Sequence, residues 1–481
     1  MKSALLTSLI VLTFAAGVPA QSPPGQPPQQ HLPATRESAA VTQLERFLKA
    51  VAIEDDAASF NAVREIYSSA SLNRADWPRQ HLFLQRLQFH GVERATATDA
   101  EITAYDPVVH GWAHLVATVD PQPPHRIARM LVLFGARPHD LPAPPKLQPQ
   151  ALVAAARAQL AIWAQADSFS GAVLIAQHRK PIFTAAYGLA DREAHTPNRV
   201  DTQFRFGSMG KMFTAVAILQ LAQAGKLDLN GPVGAYLKDY PNRDIATGVT
   251  INQLLTHTGG TGDIFGPEFI ANRQSLKDLK DYIDLYGPRG PLFPPGTHRA
   301  YSNYGFILLG RIVEVTSGLS YDEYLKRHIF TPAGMTSTGN LPESTSLPRR
   351  AVGYMAGETG ALESAVDTLP YRGTSAGGGY STVDDLLRFA NALLSKRLLD
   401  PAHTRLLERG GITAADGTLL PYDFAQKTLE GRPFYGHSGG APGMNGELRI
   451  FPKDEYVVIV LANLDPPAAT TVADFISDRL P

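Results

Sequence analysis

The feature that most constrains the fold is that the last two-thirds of the chain begins and ends in strand pairs. Ser170 to Gln177 and Pro181 to Tyr187 are apolar runs joined by the turn His178-Arg179-Lys180. At the far end, Glu447 to Phe451 and Tyr456 to Leu461 are joined by Pro452-Lys453-Asp454, and a helix is expected from Ala468 to Leu480. A helix also precedes the first pair, running through Trp163, and the residues between the pairs are helix-rich. Buried strand backbone must find partners. Residues 150–481 are therefore expected to form one unit of α/β (α+β) class, in which an antiparallel sheet built from both ends carries an inserted helical subdomain.

The residues before this unit divide by composition. Met1-Lys2, the uncharged apolar stretch Ala4 to Ala16 and the small residues Gly17-Val18-Pro19-Ala20 have the layout of a signal peptide over 1–20. That stretch is short for a membrane span, so the expectation is an exported protein, periplasmic or secreted. Residues 21–37 are Pro- and Gln-rich and read as an extended tether. From 38 to 137 helices precede strands, giving a small α+β accessory domain. Val41, Leu44, Phe47, Leu48 and Val51 follow a helical period. Asp55-Asp56 is a candidate cap for a second helix, and a third is expected over Gln80 to Phe89. Ile102 to Tyr105, His110 to Val119 and Arg126 to Phe134 then read as strands. The breaker-rich residues 138–149 read as a linker.

Composition excludes several functions. With 44 Lys+Arg against 45 Asp+Glu and a formal charge of -1, there is no electrostatic footprint for nucleic acid. Zero cysteines remove thiol nucleophiles and thiolate metal sites. His110 and His114 have a helical metal spacing, but in a strand context they lie roughly 13 Å apart. No metal, cofactor or membrane span is expected.

Chemistry gathers at Phe206-Gly207-Ser208-Met209-Gly210-Lys211, the start of an apolar run reaching Leu221. On a helix, positions i and i+3 share a face, so Ser208 and Lys211 would lie side by side. A serine hydroxyl needs a neighbour to take its proton. For Lys211 to do so near neutrality, its pKa must fall from about 10.4 toward ~7, or roughly 4–5 kcal/mol of environment. Two later clusters join this one: Tyr301-Ser302-Asn303 before an apolar helix, and His437-Ser438-Gly439-Gly440 ahead of the closing strands.

In this order the three clusters resemble the serine hydrolases of the β-lactamase and penicillin-binding-protein superfamily, class C-like branch, over about residues 150 to 480. Leu254-Leu255-Thr256-His257-Thr258-Gly259-Gly260, Pro332-Ala333-Gly334-Met335 and Gly377-Gly378-Gly379-Tyr380 also resemble family positions. The resemblance implies a DD-peptidase/β-lactamase fold and an acyl-enzyme at Ser208. Lys211 and Tyr301 would be general base and acid, and Asn303 would orient Lys211 and bind substrate. The backbone N–H groups of Ser208 and Gly440 would form the oxyanion hole, with His437 and Gly439 beside them. The accessory domain resembles the cone-shaped domains of the NTF2-like kind.

His437 departs from the Lys-Thr-Gly that many relatives carry. An imidazole is a weaker cation at pH 7, which shifts the expectation toward esterase or D-aminopeptidase chemistry, with β-lactam and DD-carboxypeptidase-like cleavage as alternatives. Gly436 to Gly440 also spells Gly-x-Ser-x-Gly, but Pro442 and Gly443 follow where a helix is needed, and no later histidine exists. The competing class is a catalytically silent cell-wall peptide-binding protein on the same fold. A binding module has no evident need for Ser208, Lys211, Tyr301 and Asn303 together. Small-molecule or peptide substrates are the expected partners. Selectivity is expected from residues 264–292 and 341–372.

Overall fold

The computed structural model describes residues 38–481 apart from 69–73, 75–76, 109–110, 136, 139, 358–360, 411, 414–418, 423, 425–426 and 430–431. The expected signal peptide and tether, and His110, lie outside the described residues.

The N-terminal region packs three helices on a four-stranded antiparallel meander. Helix α1 (Ala39–Val51) is capped by Ser38, whose Oγ accepts from the Val41 N–H at 3.1 Å. It buries Val41, Leu44, Phe47, Leu48 and Val51 on one face. Helix α2 (Asp56–Ile66) is capped by Asp55, whose carboxylate accepts from the Ala58 N–H at 2.7 Å; α3 spans Trp77–Leu84. Strands β1 (Gln88–Ala95), β2 (Asp99–Asp106), β3 (Gly111–Val119) and β4 (Ile127–Gly135) follow in simple order. The third helix ends earlier than its sequence suggests, and β1 was not foreseen. Gly91 does not break β1, because register shifts at Phe89/Gly91 and Val92/Arg94 absorb the irregularity. His114 projects from β3 to Glu101, 3.0 Å from Nδ1.

The C-terminal region opens with α4 (Pro149–Gln165), then β5 (Gly171–Gln177) and β6 (Lys180–Tyr187). Its six-stranded sheet runs Lys427–Leu429, Arg432–Ala441, Met444–Phe451, Tyr456–Ala462, β5, β6, and every neighbouring pair is antiparallel. The Tyr456–Ala462 strand lies against β5, with Val460 opposite Val173, so the two ends of the region share one sheet. Both faces of that strand are apolar. Val458 and Val460 pack toward α4 and the Ala468–Ser477 helix, while Val457, Ile459 and Leu461 join the larger core on the other face. One period-2 strand thus serves two cores. The His437 cluster does not merely precede the closing strands. It is a strand itself, Arg432–Ala441.

Helix α5 (Gly210–Gln223) runs through the larger core, and every residue from Gly210 to Leu219 is buried. A helix that is apolar all round has to be surrounded. Phe213 supplies the centre, edge-on to Phe206, Phe330 and Phe389 at 5.7, 5.2 and 4.8 Å. No helix among the described residues is long and apolar enough to cross a membrane.

Candidate active site

Ser208 sits in a 3₁₀ turn, Gly207–Met209, that feeds directly into α5. Gly207 enters it at φ +54, a backbone conformation that favours glycine. The turn is pressed against the sheet through backbone. A Cβ on Gly207 would lie 2.9 Å from the Gly440 nitrogen, and one on Gly439 would overlap the Phe206 carbonyl oxygen and come within 3.0 Å of the Ser208 nitrogen. On its other side the Gly378 N–H donates to the Gly207 carbonyl at 3.0 Å. The 377–379 glycines therefore pack a loop onto this turn.

Lys211 lies one turn along, fully buried, with Nζ 3.1 Å from Ser208 Oγ. Nζ also donates to Asn303 Oδ1 at 2.7 Å and to the Ala376 carbonyl at 2.6 Å. The neighbouring Ser375 carbonyl is held toward α5 by Thr214, whose Oγ1 donates to it at 2.7 Å and pairs with the Tyr321 hydroxyl at 2.6 Å. Burial pushes the Tyr321 phenol well above its ordinary range, so it stays protonated.

Asn303 opens the Asn303–Ser317 helix. Ser302 caps that helix, its Oγ accepting from the Gly305 N–H at 2.9 Å and donating to the Gly262 carbonyl at 2.5 Å. The Asn303 amide nitrogen donates to both carboxylate oxygens of Asp263, at 3.0 and 3.2 Å. Tyr301 stays 42% exposed, with its ring centroid 4.8 Å from Lys211 Nζ. Behind it lies buried His257, 4.4 Å away ring to ring, whose Nδ1 accepts the Ser302 N–H at 3.1 Å. His257 thus holds the loop. His437 shares a strand face with Gly439, and its Nδ1 contacts the Ser438 carbonyl. Ser438 pairs with Glu447 in mid-strand, with no helix behind it, which removes the nucleophile-elbow alternative.

Lys211 Nζ joins Ser208, three residues before it, to Asn303, 92 residues after it, and the Tyr301 ring covers the lysine. Gly439 and Gly440 meet the Ser208 turn. Among the described residues no group of three or more His, Asp or Glu is arranged to hold a metal.

The Beta-lactamase family model matches residues 152–480. The chain belongs to the beta-lactamase family. This family member is 31% identical over 295 residues to penicillin-binding protein 4 of Amycolatopsis lactamdurans, covering 58% of this chain and 76% of that protein. It is 30% identical over 315 residues to a penicillin-binding protein of Bacillus subtilis, covering 61% and 68%. The crystal structure of a penicillin-binding protein from Bacillus halodurans superposes with a TM-score of 0.60 at 31% identity, covering 69% of this chain and 99% of that one. The beta-lactamase-family chain is accordingly a serine hydrolase with the DD-peptidase/β-lactamase fold. The family match begins at residue 152, after the N-terminal α+β region.

Two participants escaped the sequence reading of this family member. The Ala376 carbonyl is backbone and leaves no signature. Asp263 follows the His257 to Gly260 stretch by three residues, and that proximity to a family motif was the available signal.

Proposed function

We propose that this is an exported serine hydrolase, delivered by a signal peptide at 1–20, that cleaves an ester, amide or β-lactam bond through an acyl-enzyme at Ser208. The observation that carries the reading is the bonding around Lys211 Nζ. The Ala376 carbonyl only accepts hydrogen bonds. Asn303 Oδ1 also only accepts, because the amide nitrogen is committed to Asp263. A neutral amine has two N–H bonds and one lone pair. In that form the N–H groups go to these two acceptors, and the lone pair takes the Ser208 proton across the 3.1 Å contact.

In this mechanism the Ser208 proton passes to Lys211 as Oγ bonds to the substrate carbonyl carbon. The carbonyl electron pair moves onto oxygen, where the backbone N–H groups of Ser208 and Gly440 stabilise it. Collapse expels the leaving group, which takes its proton from Lys211 by way of Tyr301. Water then repeats the sequence on the acyl ester. Asn303, His437 and Gly439 line the substrate. Because His437 stands where a permanent cation would anchor a carboxylate, esters and D-amino-acid amides are favoured over carboxylate-bearing substrates.

Intact-protein mass spectrometry after exposure to a penicillin, a chromogenic ester and a fluorophosphonate tests this reading. The expected result is a covalent adduct with at least one reagent, lost in Ser208→Ala. No adduct and no ester hydrolysis would contradict it and leave the silent binding protein.

A further inference from the structure

Resting on the reading above, we propose that Asp263 is a positioning residue for the Ser208–Lys211 pair, acting through the Asn303 amide. An asparagine amide can present either its oxygen or its NH₂ to a neighbour, and only its partners decide which. The lysine amine does not decide, because it can donate to the oxygen or accept from the NH₂. Asp263 does. Its carboxylate can only accept, it meets the amide nitrogen with both oxygens at 3.0 and 3.2 Å, and it thereby turns Oδ1 toward Nζ. With the amide reversed, an N–H would point at the Lys211 lone pair, which is the electron pair needed for the Ser208 proton.

Asp263 is itself held firmly. Its Oδ1 accepts the Ile264 N–H at 2.6 Å, and its carbonyl accepts from Arg289 at 2.9 Å. The Tyr286 hydroxyl donates to the Ile264 carbonyl at 2.9 Å, and the Arg289 guanidinium lies 4.3 Å over the Tyr286 ring. The same loop is tied to the 292–300 segment, where the Leu292, Gly296 and Ala300 N–H groups donate to Gly260, Thr258 and His257. Asp263 therefore joins the base to the segment expected to govern selectivity. A displacement of that segment would be felt at the lysine as a reversed or loosened amide.

The test is a double-mutant cycle on Ser208 acylation by a fluorophosphonate and on ester turnover, with melting temperature recorded for each variant. Asp263→Ala is expected to lower kcat and the acylation rate about 10- to 100-fold, as loss of an orienting outer partner does, while KM changes by less than about threefold. Asp263→Asn, which can still offer an oxygen to the amide, should recover part of the loss. In the Asn303→Ala background, Asp263→Ala should cost nothing further, since the group it acts through is gone. Equal losses in both backgrounds, or an Asp263→Ala enzyme with wild-type kcat, would overturn the proposal while leaving Ser208 acylation standing. A wild-type protein that forms no adduct would overturn both. If Asp263→Ala fails to fold, Asp263→Asn carries the cycle by itself.

Discussion

The site has two walls built on different principles. The sheet wall, Gly439–Gly440 against Gly207–Ser208, is a backbone contact in which glycines let main chains approach closely. The loop wall is built of side chains: Tyr301 tilted against His257, Asn303 bonded to Asp263, and Ser302 capping its helix while gripping Gly262. A backbone wall leaves no rotamers to choose and can hold hydrogen-bond donors for an oxyanion at no reorganisation cost. A side-chain wall can be retuned one residue at a time. In the proposed mechanism the nucleophile, Ser208, belongs to the rigid wall, and the groups that handle its proton are oriented from the adjustable one.

Substitutions on each wall can break this contrast. Gly439→Ala should have the largest effect. Its methyl would collide with the Phe206 carbonyl, costing about 3 kcal/mol of stability and abolishing acylation; an unchanged melting temperature with normal labelling would refute the rigid wall. Lys211→Ala should fold, yet lose about 10²- to 10⁴-fold in acylation, the range of a general base. Tyr301→Phe keeps the ring on His257 and removes only the hydroxyl. It should lower turnover by about 10²-fold, at the low end of acid–base effects, with little change in melting temperature. Leu292→Ser, at a side chain 73% exposed and in reach of Gly262, should be mildest, altering KM for apolar esters a few-fold and leaving kcat alone.

The two walls also differ in how far the sequence revealed them. Ser208 and Lys211 declare themselves by an i, i+3 spacing at the head of an apolar run, because a helix converts spacing into contact. The shared sheet followed from apolar strand pairs at both ends, since strands must be paired. Asn303 and Tyr301 needed motif order, because no local period links residue 211 to residue 303. Asp263 was signalled only by its nearness to the His257 to Gly260 stretch, and the Ala376 carbonyl by nothing. One acts across 40 residues through loop closure, and the other is main chain, identical at every position. Strand β1 was missed for a simpler reason: its bulges around Gly91 hide the alternation by which strands are recognised. The His437 cluster, expected ahead of the closing strands, lies within a strand that carries glycines at 436, 439 and 440. Gly439 and Gly440 serve close approach to the Ser208 turn.

The most direct measurement is peptide mapping of the fluorophosphonate-labelled protein at pH 7, wild type beside Lys211→Ala. The account predicts a single labelled serine, Ser208, in the wild type, and labelling slowed by at least about 10²-fold in the variant. Label on another residue, or equal labelling of the two proteins, would contradict it.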